Sequence, residues 1–445
     1  MSIDWGRTHE EAMGHLRALL RIDTTNPPGN EIEAARYVAG VLDAEGIPSI
    51  IKESGPGRAN LVARLDGGDP DGALLLTAHL DVVPAEPERW THPPFAAEVA
   101  DGYVWGRGAI DMKNMAVYGL MSLLLAKRTG LRLHHDLALV CVADEEAGCF
   151  EGSRWLVKHH PELLRGRYAL NELGGFTIHL AGERLYPIQL ACKGFAWVRM
   201  TARGEPGHGS MPHDRNAVVR LARALQRVDE RLLPFHLHPV MSRFMEEAGR
   251  ALGFPASLVL KAARSAPLSN FVLQKLLPDP ERRKVFLASL HNTANPTGLA
   301  AGYKENVVPS SASATLDCRM LPGFTTAQLM DELRAVVGDE VELEVLREGP
   351  PSETDGDTEM YRLLETVLRE RDPGCRVAPY LVVGFTDAIA WQELGLQTYG
   401  FTPIRLPPDL PFASLYHGHD ERIPVEGFRW GLETFWEVVR RYCGA

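Results

Sequence analysis

Cysteine is scarce in this 445-residue chain, and no two of its six cysteines form a CxxC pair. Cys141, Cys149, Cys192, Cys318, Cys375 and Cys443 lie far apart, which suits reduced thiols packed in a core and argues against a disulfide framework or a thiolate zinc site. Long apolar runs are missing too. The longest helix-like one, Met115 to Ala126, ends at Lys127, short of the roughly 18–20 residues that cross a bilayer. The opening MSIDWGRTHEEAMGH has early acids and no apolar h-region, so we expect a cytoplasmic protein with no secretory signal and no membrane partner. Positive charge is in deficit: 47 Lys and Arg against 58 Asp and Glu leave 47 − 58 = −11. That balance argues against nucleic acid as a partner and favours a small substrate or a metal cation.

What remains is ordinary globular composition, 45% hydrophobic and 24% charged. At roughly 100–200 residues per domain the length allows two or three domains. Thr8 precedes an apolar-periodic helix to Ile22, and Asn30 with Glu33 reads as a capping box for a helix ending near Gly46. Strand-like runs follow at 61–65, 73–78 and 137–143, with a helix from about Met112 to Lys127 between the last two. Nearly all-apolar strands alternating with helices imply an α/β domain with a largely parallel or mixed sheet. After 190–194 the character shifts to a second, α+β domain with a helix from about Asn216 to Arg231. It also holds a Pro- and Leu-rich stretch without clear period, and strands around 303–320 and 341–346. The polar linker at 347–357 returns the chain to the first domain. The expected boundaries are therefore 1–190 and 350–445 for that domain and 191–349 for an inserted one.

Four clusters of acids and imidazoles fall at or just beyond strand ends, the edge at which open α/β sheets bind ligands. His79-Leu80-Asp81 follows ALLLTA, where Asp81 can hydrogen-bond one ring nitrogen of His79 and leave the other for a metal. A Gly-rich turn in WGRGAIDMKNM delivers Asp111 just before a helix, where an N-cap is the alternative reading. Asp144-Glu145-Glu146 ends LALVCVA; adjacent carboxylates repel unless a cation sits between them, and a solvated acidic loop is the alternative. Glu172 closes the next strand. Near the C-terminus, LYHGHDERIP places His417 and His419 among small and acidic residues. These are hard or borderline N/O ligands without sulfur, suited to zinc, cobalt or manganese in a carboxylate-rich site. Two such cations need about six protein ligands if one carboxylate bridges. His135, His159 and His160 read as surface or satisfied histidines.

In order and spacing, LLRIDTTNPPGNE, TAHLDVVP, GRGAIDMK, ADEEAG, GEPGHGSMP, NVVP, DCRMLPG, GFTDA and HGHDERIP cover nearly the whole chain. The chain thereby resembles the di-zinc amidohydrolases and exopeptidases that include aminoacylase, acetylornithine deacetylase, succinyl-diaminopimelate desuccinylase and carboxypeptidase G. The resemblance implies a zinc-exopeptidase-like α/β catalytic domain with an inserted α+β lid or dimerisation domain. It implies two divalent ions, zinc first and cobalt or manganese as alternatives. His79 and Glu172 would hold one ion, Glu146 and His417 the other, and Asp111 would bridge them. Asp81 would orient His79 and Glu145 would be the general base. His208 on the lid would stabilise the oxyanion, in dimeric members across the subunit boundary, and a homodimer through the lid is compatible. Arg319 and Asn306 would hold polar groups of the substrate, Arg319 its α-carboxylate. Two features depart from the family pattern: Glu172 is followed by Leu173 before Gly174-Gly175, and about 70 residues from Leu232 to Tyr303 interrupt the lid.

The expected reaction is metal-dependent hydrolysis of an amide or peptide bond next to a free carboxylate, as in N-acyl-amino acids or short peptides. A di- or aminopeptidase of the same fold, and a metal-dependent binding protein without turnover, are the rivals; an intact Glu145 argues against the second.

Overall fold

A computed structural model describes residues 3–276 and 280–445. The chain forms two compact units, 1–190 with 354–380 and 386–445, and 191–353 with 381–385.

The first unit is built on a mixed sheet whose central strands are buried on both faces. From one edge the order is Ser49–Gly55, Arg58–Leu65, His135–Val142, Asp69–His79, Tyr168–Asn171, Gln397–Gly400 and Glu183–Cys192. Asp69–His79 runs parallel to both of its neighbours, and Gln397–Gly400 runs parallel to Tyr168–Asn171. Parallel strands carry their C-terminal ends to one edge. His79 therefore pairs with Val142, just before Asp144, while Asn171 at the end of its strand precedes Glu172. Helix Lys113–Thr129, buried all round from Lys113 to Ala126, packs against this sheet beside Trp5–Arg21 and Val425–Cys443. Gly119 makes that approach possible, because a Cβ there would lie 2.5 Å from Leu139 Cδ1.

Three local readings are corrected. The first helix, Trp5–Arg21, starts before Thr8, with Asp4 accepting the Arg7 N–H as its cap. Helix Glu31–Ala44 has no side-chain cap at Asn30, whose amide instead reaches the Asp23 carbonyl at 3.5 Å. The described residues of the aperiodic stretch after Leu232 form four helices, Pro239–Leu252, Ala256–Ala263, Ala266–Leu276 and Pro280–Leu290. Pro255 and Ser265 separate short amphipathic pieces there, too short for one period to show.

The second unit holds a four-stranded antiparallel sheet in the order Thr293–Ala301, Ser311–Met320, Gly194–Arg203, Val341–Gly349. Alternate residues Ala312, Ala314, Leu316, Cys318 and Met320 face the core. There they meet Leu221 and Ala224 of helix Ala217–Glu230 and Leu329 and Leu333 of helix Thr326–Val337. All six cysteines are buried thiols outside any disulfide.

Candidate metal centre

Seven of the sequence-selected residues meet at the C-terminal edge of the first unit's sheet. His79, wholly buried, directs Nε2 to Asp111 Oδ1 at 3.2 Å, with Glu172 Oε2 at 3.7 Å. His417 directs Nε2 to the other Asp111 oxygen at 3.2 Å and to Glu146 Oε2 at 3.1 Å. Asp111 thus offers one oxygen to each side. Ligand atoms of His79, Glu145 and Glu172, and of His79, Asp111 and Glu146, lie within 4.8 Å of one another, close enough to hold a cation.

The orienting contacts differ in detail from the expectation. His79 Nδ1 is 2.9 Å from the main-chain oxygen of Asp81 and 3.4 Å from its carboxylate. With Nδ1 donating to that carbonyl, Nε2 is the free lone pair. The Asp81 carboxylate mainly accepts from elsewhere: the N–H groups of Glu145 and Glu146 at 3.1 and 3.2 Å and Asn26 Nδ2 at 2.8 Å. Glu145 and Glu146 open a single 3-10 turn, entered through Asp144 at φ 65°. The turn fits because Gly152 backs it; a Cβ there would lie 1.7 Å from the Ala143 carbonyl oxygen.

Asp111 is not a helix cap; helix Lys113–Thr129 starts after Met112 and has no side-chain cap. Its loop is held by a residue the sequence reading passed over within HGHDERIP, Glu421. This buried carboxylate accepts the N–H groups of Gly108, Ile110 and Asp111 at 3.0, 2.8 and 3.2 Å and Arg107 Nη1 at 2.8 Å. His419 does not reach the cluster through a hydrogen bond, and its Nδ1 is buried without a partner. Asp387 of GFTDA is a second residue passed over. It is buried, accepts from Ser153 Oγ at 2.5 Å, and its charge adds to those that burden Glu145 and Glu172.

Electrostatics mark the place as one lacking positive charge. Burial, reinforced by the charge of Glu172, raises Glu145 well above the usual carboxylate range. Burial likewise pushes Glu172 up to about 8, against the pull of His79. Hydrogen bonds to Asp111 and then Glu146 raise His417 to about 10. Burial opposes a charged His79, yet bonds to Asp111, Asp81 and Glu172 outweigh it and raise it. Protons are held where divalent cations would relieve the same repulsion, so the donor set fits two such ions.

The remaining selected residues lie in the second unit. His208 belongs to the two-residue strand Gly207–His208, paired with Val307–Val308, and Gly209 N–H bonds the Asn306 carbonyl at 2.9 Å. The Ser210 N–H donates to His208 Nδ1 at 3.2 Å, which leaves the exposed Nε2 as the position for the ring proton. Asn306 is exposed. Arg319 is half-buried, its Nε and Nη2 donating to Asp317 at 2.7 and 2.9 Å and its guanidinium lying 4.9 Å above the Phe385 ring. Lys193, also passed over, is buried nearby and donates to the His291 carbonyl at 2.7 Å. Burial, then the charge of Arg319, lowers it to about 7.

The sequence pattern of the peptidase family M20/M25/M40 matches residues 75–441. The N-fatty-acyl-amino acid synthase/hydrolase PM20D1 of Xenopus tropicalis is 28% identical over 419 residues, 92% of this chain and 80% of that protein. Human aminoacylase-1 is 26% identical over 439 residues, 95% and 93% of the two chains. The fold is shared with an M20 family metallo-carboxypeptidase, Sso-CP2 from Sulfolobus solfataricus, at a TM-score of 0.71 and 19% identity, covering 97% and 99%. Among the described residues no helix is long and apolar enough to cross a membrane.

Proposed function

Since the chain belongs to the M20/M25/M40 peptidase family and is a metal-dependent hydrolase, we propose that it cleaves an amide or peptide bond next to a free carboxylate, with N-acyl-amino acids or short peptides as substrates. The observation that carries this reading is Asp111, whose two oxygens each face a separate imidazole beside the buried carboxylate of Glu145. His79 and Glu172 would hold one ion, Glu146 and His417 the other, with Asp111 shared, and zinc is the metal we assign. Bound there, two divalent ions supply Lewis acidity and lower the pKa of water toward neutrality.

The chain's own residues do the rest. Glu145, a buried carboxylate, takes a proton from water and passes it to the departing amine nitrogen. His208, with Nε2–H exposed, donates to the oxygen on which charge builds up. Arg319 engages the substrate carboxylate through the guanidinium nitrogen not committed to Asp317. Asn306 holds a further polar group. The boundaries 1–190, 191–349 and 350–445 describe catalytic and lid parts in this reading, and the protein works in the cytoplasm. A homodimer through the lid would use the exposed edge strand Thr293–Ala301, which carries no charge, on the Gly298–Ala301 half beyond the irregularity at Pro296.

The test is a hydrolysis screen of N-acyl-amino acids, dipeptides and their carboxyl-capped forms with zinc, cobalt and manganese. Turnover of free acids over capped forms supports the proposal. Cleavage that requires a free α-amine and ignores the carboxylate would overturn it in favour of an aminopeptidase.

A further inference from the structure

Behind the turn that carries Glu145 and Glu146 lies an array of polar groups that the mechanism above does not use. Glu31, fully buried at the start of its helix, takes the Arg58 guanidinium as a fork, Nε to Oε2 and Nη2 to Oε1, both at 2.8 Å. The same Nη2 donates to Asp144 Oδ1 at 2.9 Å. Asn26 Nδ2 donates to that Asp144 oxygen at 3.0 Å and to Asp81 Oδ2 at 2.8 Å. Asp81 then accepts the N–H groups of Glu145 and Glu146. The second Asp144 oxygen accepts the Glu151 N–H at 3.1 Å and closes the turn.

As a stability device this arrangement is poor. Two carboxylates share one guanidinium with little solvent and a third, Asp81, stands one amide away across Asn26; well-packed apolar side chains would fill the space at less desolvation cost. Its bonds end on the backbone of the two glutamates and leave the Glu145 carboxylate free. A general base must be held within about 0.5 Å of its productive position, and a displacement of about 1 Å can cost on the order of 10²-fold in rate.

We propose that Arg58, backed by Glu31, is a positioning residue for hydrolysis: through Asp144, Asn26 and Asp81 it fixes the backbone of the Glu145-Glu146 turn and so sets where the Glu145 carboxylate meets the water it deprotonates. The inference rests on the reading of Glu145 as the base.

The test compares zinc-loaded wild type with Arg58→Met, Arg58→Lys, Asp144→Asn and the Arg58→Met/Asp144→Asn double variant. It measures kcat, KM, metal content, Tm, and calorimetric affinity for a non-hydrolysable substrate analogue. Arg58→Met is expected to lower kcat about 30- to 100-fold while KM, analogue affinity and two ions per chain stay within about twofold. Arg58→Lys, which keeps the charge and loses the fork, falls between. In the Asp144→Asn background, Arg58→Met should cost less than about threefold, because the path is already broken. A lowered Tm with unchanged kcat overturns the proposal, as do metal loss in step with kcat and full additivity in the double variant. Should Arg58→Met not fold, Arg58→Lys is held to the same criteria. The base reading fails separately: Glu145→Gln with wild-type kcat would remove it, whereas an inactive Glu145→Gln beside an indifferent Arg58 would remove only the positioning role.

Discussion

Replacing Glu145 with Gln removes a charge and almost no volume, and leaves the main-chain bond to Asp81 untouched. The side chain sits beside Glu172 and Glu146 in a buried site that raises its proton affinity. Proton transfer by a placed carboxylate contributes typically about 10²–10⁴-fold, or roughly 2.7–5.5 kcal/mol of barrier. We expect kcat to fall by at least about 10³-fold, with KM and metal content near normal. Glu146→Gln should behave differently, because its Oε2 is 3.1 Å from His417 Nε2, the imidazole that also faces the second oxygen of Asp111. It should lose one ion of two, with partial activity returning in excess zinc or cobalt. The assay is elemental analysis after gel filtration together with steady-state kinetics on the same samples. Since the Glu145 carboxylate also lies within ligand reach of His79 and Glu172, the reverse pattern is a defined result. Metal loss in Glu145→Gln, with both ions kept and only kcat lost in Glu146→Gln, would refute the assignment.

Metal-free protein should lose stability as pH rises from about 5 to 8. Glu172, raised from 4.5 to about 8, and His417, raised from 6.5 to about 10, both bind protons more tightly folded than unfolded, so the first contribution is lost between those two values and the second begins to decline above 6.5. Thermal melts in chelator should show a falling Tm that Glu172→Gln flattens, and a rising Tm would contradict the proton count. Arg319→Ala should raise KM and lower kcat/KM by about 2–4 kcal/mol for free acids, with capped substrates losing their disadvantage. An unchanged preference for free acids would show that Arg319 is not the carboxylate clamp. Gly152→Ala should destabilise the Glu145 turn, because its Cβ would collide with the Ala143 carbonyl. The cost should exceed the roughly 1 kcal/mol of a typical substitution, and a denaturant midpoint equal to wild type would refute the steric argument.

The central strands were legible because ALLLTA and LALVCVA are buried on both faces and are therefore nearly all apolar, whatever surrounds them. The acids and imidazoles just past those strands could be picked out for the same reason, since parallel strands bring their ends to one edge. Glu421 and Arg58 could not. Their partners lie 310 to 314 and 27 to 86 residues away, and no local period or spacing encodes such bonds. The four helices between Pro239 and Leu290 were missed because each spans only two to four turns between breaks. Asn30 and Glu33 have the spacing of a capping box, but the side chain of Asn30 turns to Asp23 instead. Spacing permits a cap without requiring one.

The central claim is that Asp111 joins two cation sites in one chain. It is tested most directly by counting ions in wild type and Asp111→Ala after reconstitution with zinc and removal of loosely bound metal. The account predicts two ions per wild-type chain, loss of both from the variant as His79 and His417 lose their shared carboxylate, and no turnover in either protein after chelation. One ion per active wild-type chain, or an active protein containing none, would contradict it.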